Sequence, residues 1–157
     1  MNTLKTANLY SESPIAIFSA PNFIAKLRLA TVTPNDYYFP EQWALNKIRA
    51  AQGWDISTGS SDIIIAVLDT GVDLTHEDLQ NKLVDGYDFY ARPRDEDPSP
   101  YQGDDPRDAH GTACAGLAAA ETNNQIGVTG VAWGSRIMPL KIGISDELVA
   151  SAAATLC

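Results

Sequence analysis

Cations, histidine, cysteine and long apolar runs are all scarce in this chain of 157 residues, and each shortage removes a class of explanation. Eleven Lys and Arg face twenty Asp and Glu, a formal net charge of −9. Eight of the acids fall between Asp85 and Asp108, against three arginines. Such a surface repels nucleic acid and anionic membrane, and suits metal cations or solubility alone. No apolar run is long enough to cross a bilayer. The N-terminus, Met1-Asn2-Thr3-Leu4-Lys5, leads into polar residues with no apolar stretch or small-residue cleavage site, so no signal peptide is visible. The two cysteines, Cys114 and Cys157, could pair, but nothing in the sequence brings them together. No internal repeat or low-complexity tract is present, and the length suits one ordinary domain with a real core.

What is present begins with Ile63-Ile64-Ile65-Ala66-Val67-Leu68, which runs without alternation into Asp69-Thr70-Gly71-Val72-Asp73. Mostly β-branched residues followed by an acid and a Gly turn predict a strand buried on both faces of an α/β sheet. An ionised carboxylate at that edge is costly without a partner, and the crevice beyond the carboxyl ends of parallel strands is where ligands bind. Asp69 is therefore either a candidate for chemistry or a simple cap of the next turn.

Forty-one residues on stands His110-Gly111-Thr112-Ala113-Cys114-Ala115-Gly116, with one of only two histidines opening a helix of small residues. The positive end of that helix favours the neutral imidazole that a general base needs. Cys114, four residues later on the same side, reads either as the thiol of a Cys and His pair or as an inert packing residue. The other histidine, His76, lies in Thr75-His76-Glu77-Asp78, outside this motif.

The two motifs, in this order and on these elements, closely resemble the first two signatures of the subtilisin-like serine proteases. The resemblance implies an α/β fold with a mainly parallel sheet and helices on both faces, here incomplete at its C-terminal side. It also implies hydrolysis of a protein or peptide substrate, with His110 as general base and Asp69 orienting it. Residues 1–30 resemble the tail of a prosegment, with Ala20-Pro21-Asn22-Phe23 the most similar piece, and residues 31–157 part of the peptidase domain. The partners implied are substrate and the chain's own prosegment, with no nucleic acid and no membrane. The compartment implied is extracellular. Structural calcium is implied too, with Asp78 and Asn124 as side-chain ligands, Thr122, Ile126 and Val128 as carbonyl donors, and Asp36 contributing from the stretch that resembles a mature N-terminus.

The nucleophilic Ser and the oxyanion Asn of the family have no counterpart in these residues. Ser151, in Val149-Ala150-Ser151-Ala152, lacks the preceding Gly-Thr and the following Pro, so it reads as an ordinary helix residue. A partial family chain is the expectation, and the other reading is an inactive remnant that binds or inhibits a related protease. An Asp-x-Asp phosphotransferase is disfavoured because Gly71 stands where its second acid belongs.

Elsewhere, spacing predicts a single helix over Glu41–Ala51 with Trp43, Ala44, Ile48 and Ala51 near one face, ended by Gly53. It also predicts a short turn capped by Thr75, a short strand within Lys82–Tyr90, an exposed acidic loop over Arg92–Asp108, a parallel strand over Arg136–Ile142, and a helix from Leu148 capped by Ser145, Asp146 or Glu147.

Overall fold

In a computed structural model, the structure describes residues 8–9, 12, 14, 32–91, 95–101, 106–144 and 147–148. The chain divides into two compact units, Met1–Ala30 and Thr31–Cys157. In the first, residues 8–9 are helical and the Glu12 amide donates to the Asn8 carbonyl at 3.2 Å. The prosegment-like piece 20–23, the expected caps Ser145 and Asp146, Ser151 and Cys157 lie outside the described residues.

The second unit is α/β. Its elements are α1 (Trp43–Lys47), α2 (Ala50–Trp54), β1 (Ile64–Asp69), β2 (Tyr87–Asp88), α3 (His110–Ala119), β3 (Arg136–Lys141), β4 (Gly143–Ile144) and β5 (Glu147–Leu148). The expected parallel sheet forms with the order β1-β3-β2, and Asp69 and Asp88 both stand in register with Lys141. Three strand ends thus meet at one edge, where the chain turns into the loops that carry its polar residues.

On one face of the sheet, Val67 and Ile137 pack with Val72, Leu79, Ala115, Ala119 and Ala120. The small residues of α3 let its backbone come close to the strands, which is why an alanine-rich helix serves here. The opposite face differs from expectation. Ile64 and Leu68 are 41% and 42% exposed, so β1 is buried on one side only. Its apolar run carries the residues of a strand covered twice, yet no element among the described residues covers that side. A smaller cluster of Phe89 and Leu140 sits further along the sheet.

The single helix predicted over Glu41–Ala51 is two. Arg49 adopts a left-handed conformation (φ 58°) between α1 and α2, which breaks the hydrogen-bond ladder and shifts the helical phase. Leu45, Ala50 and Trp54 are buried in consequence, while Trp43 and Ile48 are exposed and Gly53 lies inside α2. Leu148, the expected start of a helix, instead pairs antiparallel with Gly143, and Glu147 with Ile144, while the rest of that expected helix lies outside the described residues. The ladder takes up backbone groups that an N-cap would otherwise have to satisfy.

Candidate active site

Asp69 ends β1 and His110 begins α3, and the packing of that helix on the sheet brings them together. The His110 Nδ1 lies 2.8 Å from Asp69 Oδ1 and 2.9 Å from Oδ2. Burial pushes the Asp69 carboxyl upward, but the His110 hydrogen bond, the Thr70 amide and the His110 charge outweigh it and hold its pKa below the usual 3.8. An ionised carboxylate only accepts, so Nδ1 carries a proton toward Asp69, and in the neutral form of the ring Nε2 keeps the lone pair. The histidine side chain is 65% exposed and that of the acid 16%, so the ring is largely open to solvent while its partner is screened.

Two residues that spacing alone did not single out for this task set the distance. The Thr70 hydroxyl donates to the Asp108 carbonyl at 2.9 Å and accepts from the Gly111 amide at 3.1 Å, stitching the acid turn to the start of α3. At Gly111 there is no room for a side chain, because a Cβ would sit 2.2 Å from the Gly71 carbonyl oxygen and 3.0 Å from Asp69 Cβ. The Asp-Thr-Gly and His-Gly spellings held that signal, but its meaning depends on the two turns touching. Asp73 extends the same stitching, with its amide donating to Thr112 Oγ1 at 3.0 Å. Its carboxylate accepts from both the amide and the hydroxyl of Thr75, so Asp73, not Thr75, caps this turn.

Cys114 Sγ lies 3.7 Å from His110 Nδ1 and 3.8 Å from Nε2. Near-equal distances put the sulfur beside the ring and on the axis of neither nitrogen. Burial and the neighbouring Asp69 charge raise the thiol pKa, which keeps it protonated and poorly nucleophilic. Asp69, His110 and Cys114 do bring an oxygen, a nitrogen and a sulfur within 4.8 Å of one another, a set that a metal ion could use. His76 stands apart, its Nδ1 accepting the Asp78 amide at 3.1 Å. A cavity of about 980 Å³ flanks α3, lined by Asp73, His76, Tyr101, Thr112 and Leu117 among others, and includes neither Asp69 nor His110. Volume is here a poorer guide to the chemistry than the acid and base geometry.

The remaining candidates gather behind α3. Asp36 and Asp78, 3% and 1% exposed, both reach the loop over 122–129. Asp78 Oδ2 accepts from the Val128 amide at 2.8 Å and Oδ1 from Asn124 Nδ2 at 2.8 Å. Asp36 accepts from the Asn123 and Asn124 amides and from the Thr129 hydroxyl. Asn123, Gln125 and Gly127 all have positive φ (66°, 70° and 53°). Gln42 fastens the loop from both sides, giving Nε2 to the Thr129 carbonyl and taking its amide on Oε1. Burial raises the Asp78 pKa, the Asn124 and Val128 hydrogen bonds oppose this, and the Asp36 charge adds to the rise. Thr122 makes a local hydrogen bond from its hydroxyl to Ala120, and the Ile126 amide donates to Asn124 Oδ1.

Comparison with known proteins identifies the family of the chain. Residues 60–155 match the profile described as the Subtilase family. The chain is 39% identical over 147 residues to a thermophilic serine proteinase of a Bacillus species, covering 89% of this chain and 34% of that protein. It is 45% identical over 111 residues to thermitase of Thermoactinomyces vulgaris, covering 70% and 37% respectively. Among solved structures, a protease from Pseudoalteromonas arctica superposes with a TM-score of 0.69 at 31% identity, over 79% of this chain and 43% of that one. The chain spans about a third of the length of the curated relatives it matches. With the profile matching more than half of its residues and the paired acid and histidine in place, the chain belongs to the subtilase family.

Proposed function

We propose that this chain supplies the acid and base of a subtilisin-like serine endopeptidase. The observation that carries the proposal is the Asp69–His110 pair, in which the carboxylate takes the Nδ1 side of a largely exposed imidazole. In that reaction, Nε2 takes the proton of a serine hydroxyl as it attacks a peptide carbonyl, then returns it to the leaving amine. Asp69 fixes the tautomer and stabilises the imidazolium. The substrate class is protein or peptide, the second partner is the prosegment-like region 1–30, and the compartment proposed from family resemblance is extracellular.

The test is a chimera in which residues 31–157 replace the corresponding part of thermitase. It should hydrolyse peptides, and Asp69→Asn should lower kcat by roughly 10⁴-fold, the cost of the wrong tautomer. A folded chimera without hydrolysis would defeat the proposal.

Calcium is proposed as a structural ion of the Asp36 and Asp78 loop. Two buried carboxylates repel each other there, and neither forms an ion pair with Lys or Arg among the described residues. Hard oxygen donors of this kind suit calcium, which tolerates irregular geometry. Asp36, Asp78 and Asn124 would hold it by side chains, with Thr122, Ile126 and Val128 as carbonyl candidates. Asn124 now turns Nδ2 toward Asp78, so ligation requires the opposite amide orientation. When bound, the ion would supply positive charge to the loop and none of the chemistry.

A further inference from the structure

We infer that Lys141 is a positioning residue for the Asp69–His110 pair, acting through the loop over 97–100. The inference rests on reading that pair as acid and base, and it assigns a task to a buried cation that the proposed reaction leaves unused.

Lys141 ends β3, 8% exposed, where Asp69 and Asp88 end the strands on either side. Its ammonium donates to the Ser99 carbonyl at 2.8 Å and lies 3.4 Å from Asp88 Oδ2. The other Asp88 oxygen accepts from the amides of Tyr90 and Ala91, and the Asp88 amide donates to the Asp95 carbonyl. Both flanks of the acidic loop are thereby tied to one buried charge. The Ser99 amide donates to Asp97 Oδ1 at 3.0 Å. The Ser99 hydrogen bonds first, and the Lys141 charge after them, hold the Asp97 carboxyl below its usual value.

That loop is the back wall of the acid turn. Gly71, at φ +103°, lies so close to it that a Cβ would meet the Pro98 oxygen at 2.5 Å and the Pro100 nitrogen at 2.8 Å. The Val72 amide donates to the Pro98 carbonyl at 3.0 Å. The carbonyl of Gly71 in turn is what leaves no room for a side chain at Gly111, one residue after His110. Lys141, Ser99, Pro98, Gly71 and Gly111 therefore form one stack of contacts with no slack, and the ammonium sets where it begins. A lysine buried with a carboxylate is poor evidence for stability but can fix a conformation.

The test uses the full chain with His76→Gln, so that one imidazole remains, and reads its nitrogen shifts by NMR where the ring is neutral. The parent should hold the proton mainly on Nδ1. In Lys141→Met the ratio of Nδ1–H to Nε2–H forms should fall about fivefold, the factor that corresponds to about 1 kcal/mol, one net hydrogen bond. Lys141→Arg should restore it. Lys141→Gln, which keeps a donor without the charge, decides the matter if the Met variant does not fold, and its ratio should fall as well. A folded Met or Gln variant with the parent's ratio overturns the inference about Lys141 alone. A parent with no preference for Nδ1–H would instead overturn the acid and base reading beneath it.

Discussion

Asp69 and Asp78 are two shielded carboxylates nine residues apart, and the structure moves them in opposite directions. Both pay desolvation, and both accept hydrogen bonds from neighbouring amide or side-chain donors. Asp69 also meets an imidazole, and its pKa falls. Asp78 meets Asn124, the Val128 amide and a second acid, and its pKa rises. Burial alone does not decide whether a carboxylate is at ease. The balance of partners does: the His110 hydrogen bond and the Thr70 amide outweigh burial at Asp69, whereas at Asp78 the Asn124 and Val128 hydrogen bonds and the His76 charge do not outweigh burial and the Asp36 charge. The first region closes as a hydrogen-bonded acid and imidazole pair, whereas the second holds two carboxylates of like charge.

The widest separation between the regions should come from their glycines. Gly111→Ala drives a Cβ into the backbone oxygen of Gly71, and neither turn can yield without parting Asp69 from His110. Urea denaturation should show a loss above about 4 kcal/mol, the range reserved for severe packing faults. Gly127→Ala meets the Asp78 carboxylate at 2.0 Å. There a side chain can move, so the loss should be smaller, about 1–3 kcal/mol for the strained backbone, together with loss of any calcium response. Equal losses would mean that the acid turn is no stiffer than the loop.

Calcium should act on one region only. At a concentration 100-fold above its Kd it should stabilise the chain by about 2.7 kcal/mol through mass action, seen as a rise in Tm. Asp78→Ala should abolish the rise and Asp69→Asn should keep it. A rise that survives Asp78→Ala would place the ion elsewhere.

Asp69→Asn itself should cost about 1 kcal/mol at neutral pH, near the low end for hydrogen bonds to charged groups because His110 is mostly exposed. The pH dependence gives the smallest effect and the sharpest contrast. The folded pKa of Asp69 is below 3.8, so its stabilisation is present above that value and is lost as pH falls through the folded pKa. The folded pKa of Asp78 is above 3.8, so its penalty is full above the folded pKa and fades as pH falls from there toward 3.8. Denaturation midpoints of the parent, Asp69→Asn and Asp78→Asn across this range should show the two contributions with opposite slopes. Parallel profiles would remove the distinction between the regions.

Much of the acid and base site was legible because its signals are local. A run of β-branched residues before Asp69 makes a strand, and a histidine before small residues makes a helix that can lie close to it. The same local reading failed over Glu41–Ala51, where spacing is helical but Arg49 turns left-handed and the buried face becomes Leu45, Ala50 and Trp54. It missed the two-residue strand Glu147–Leu148, which pairs with Gly143–Ile144. It also overlooked Gln42, whose two hydrogen bonds to Thr129 span eighty-seven residues and leave no periodic trace.

The residues by themselves determined the strand that ends at Asp69 and the helix opened by His110, since each follows from side-chain shape and backbone preference within a few positions, and the resemblance of their motifs marked the two as candidates. Tertiary structure decided what those groups do to one another. Only packing could set Gly111 against Gly71, bring Nδ1 to 2.8 Å from Asp69, confine two like charges at Asp36 and Asp78, and leave one face of β1 uncovered among the described residues. Electrostatic and steric terms of this kind change steeply over an ångström, and distances between remote segments are fixed only when the chain closes on itself.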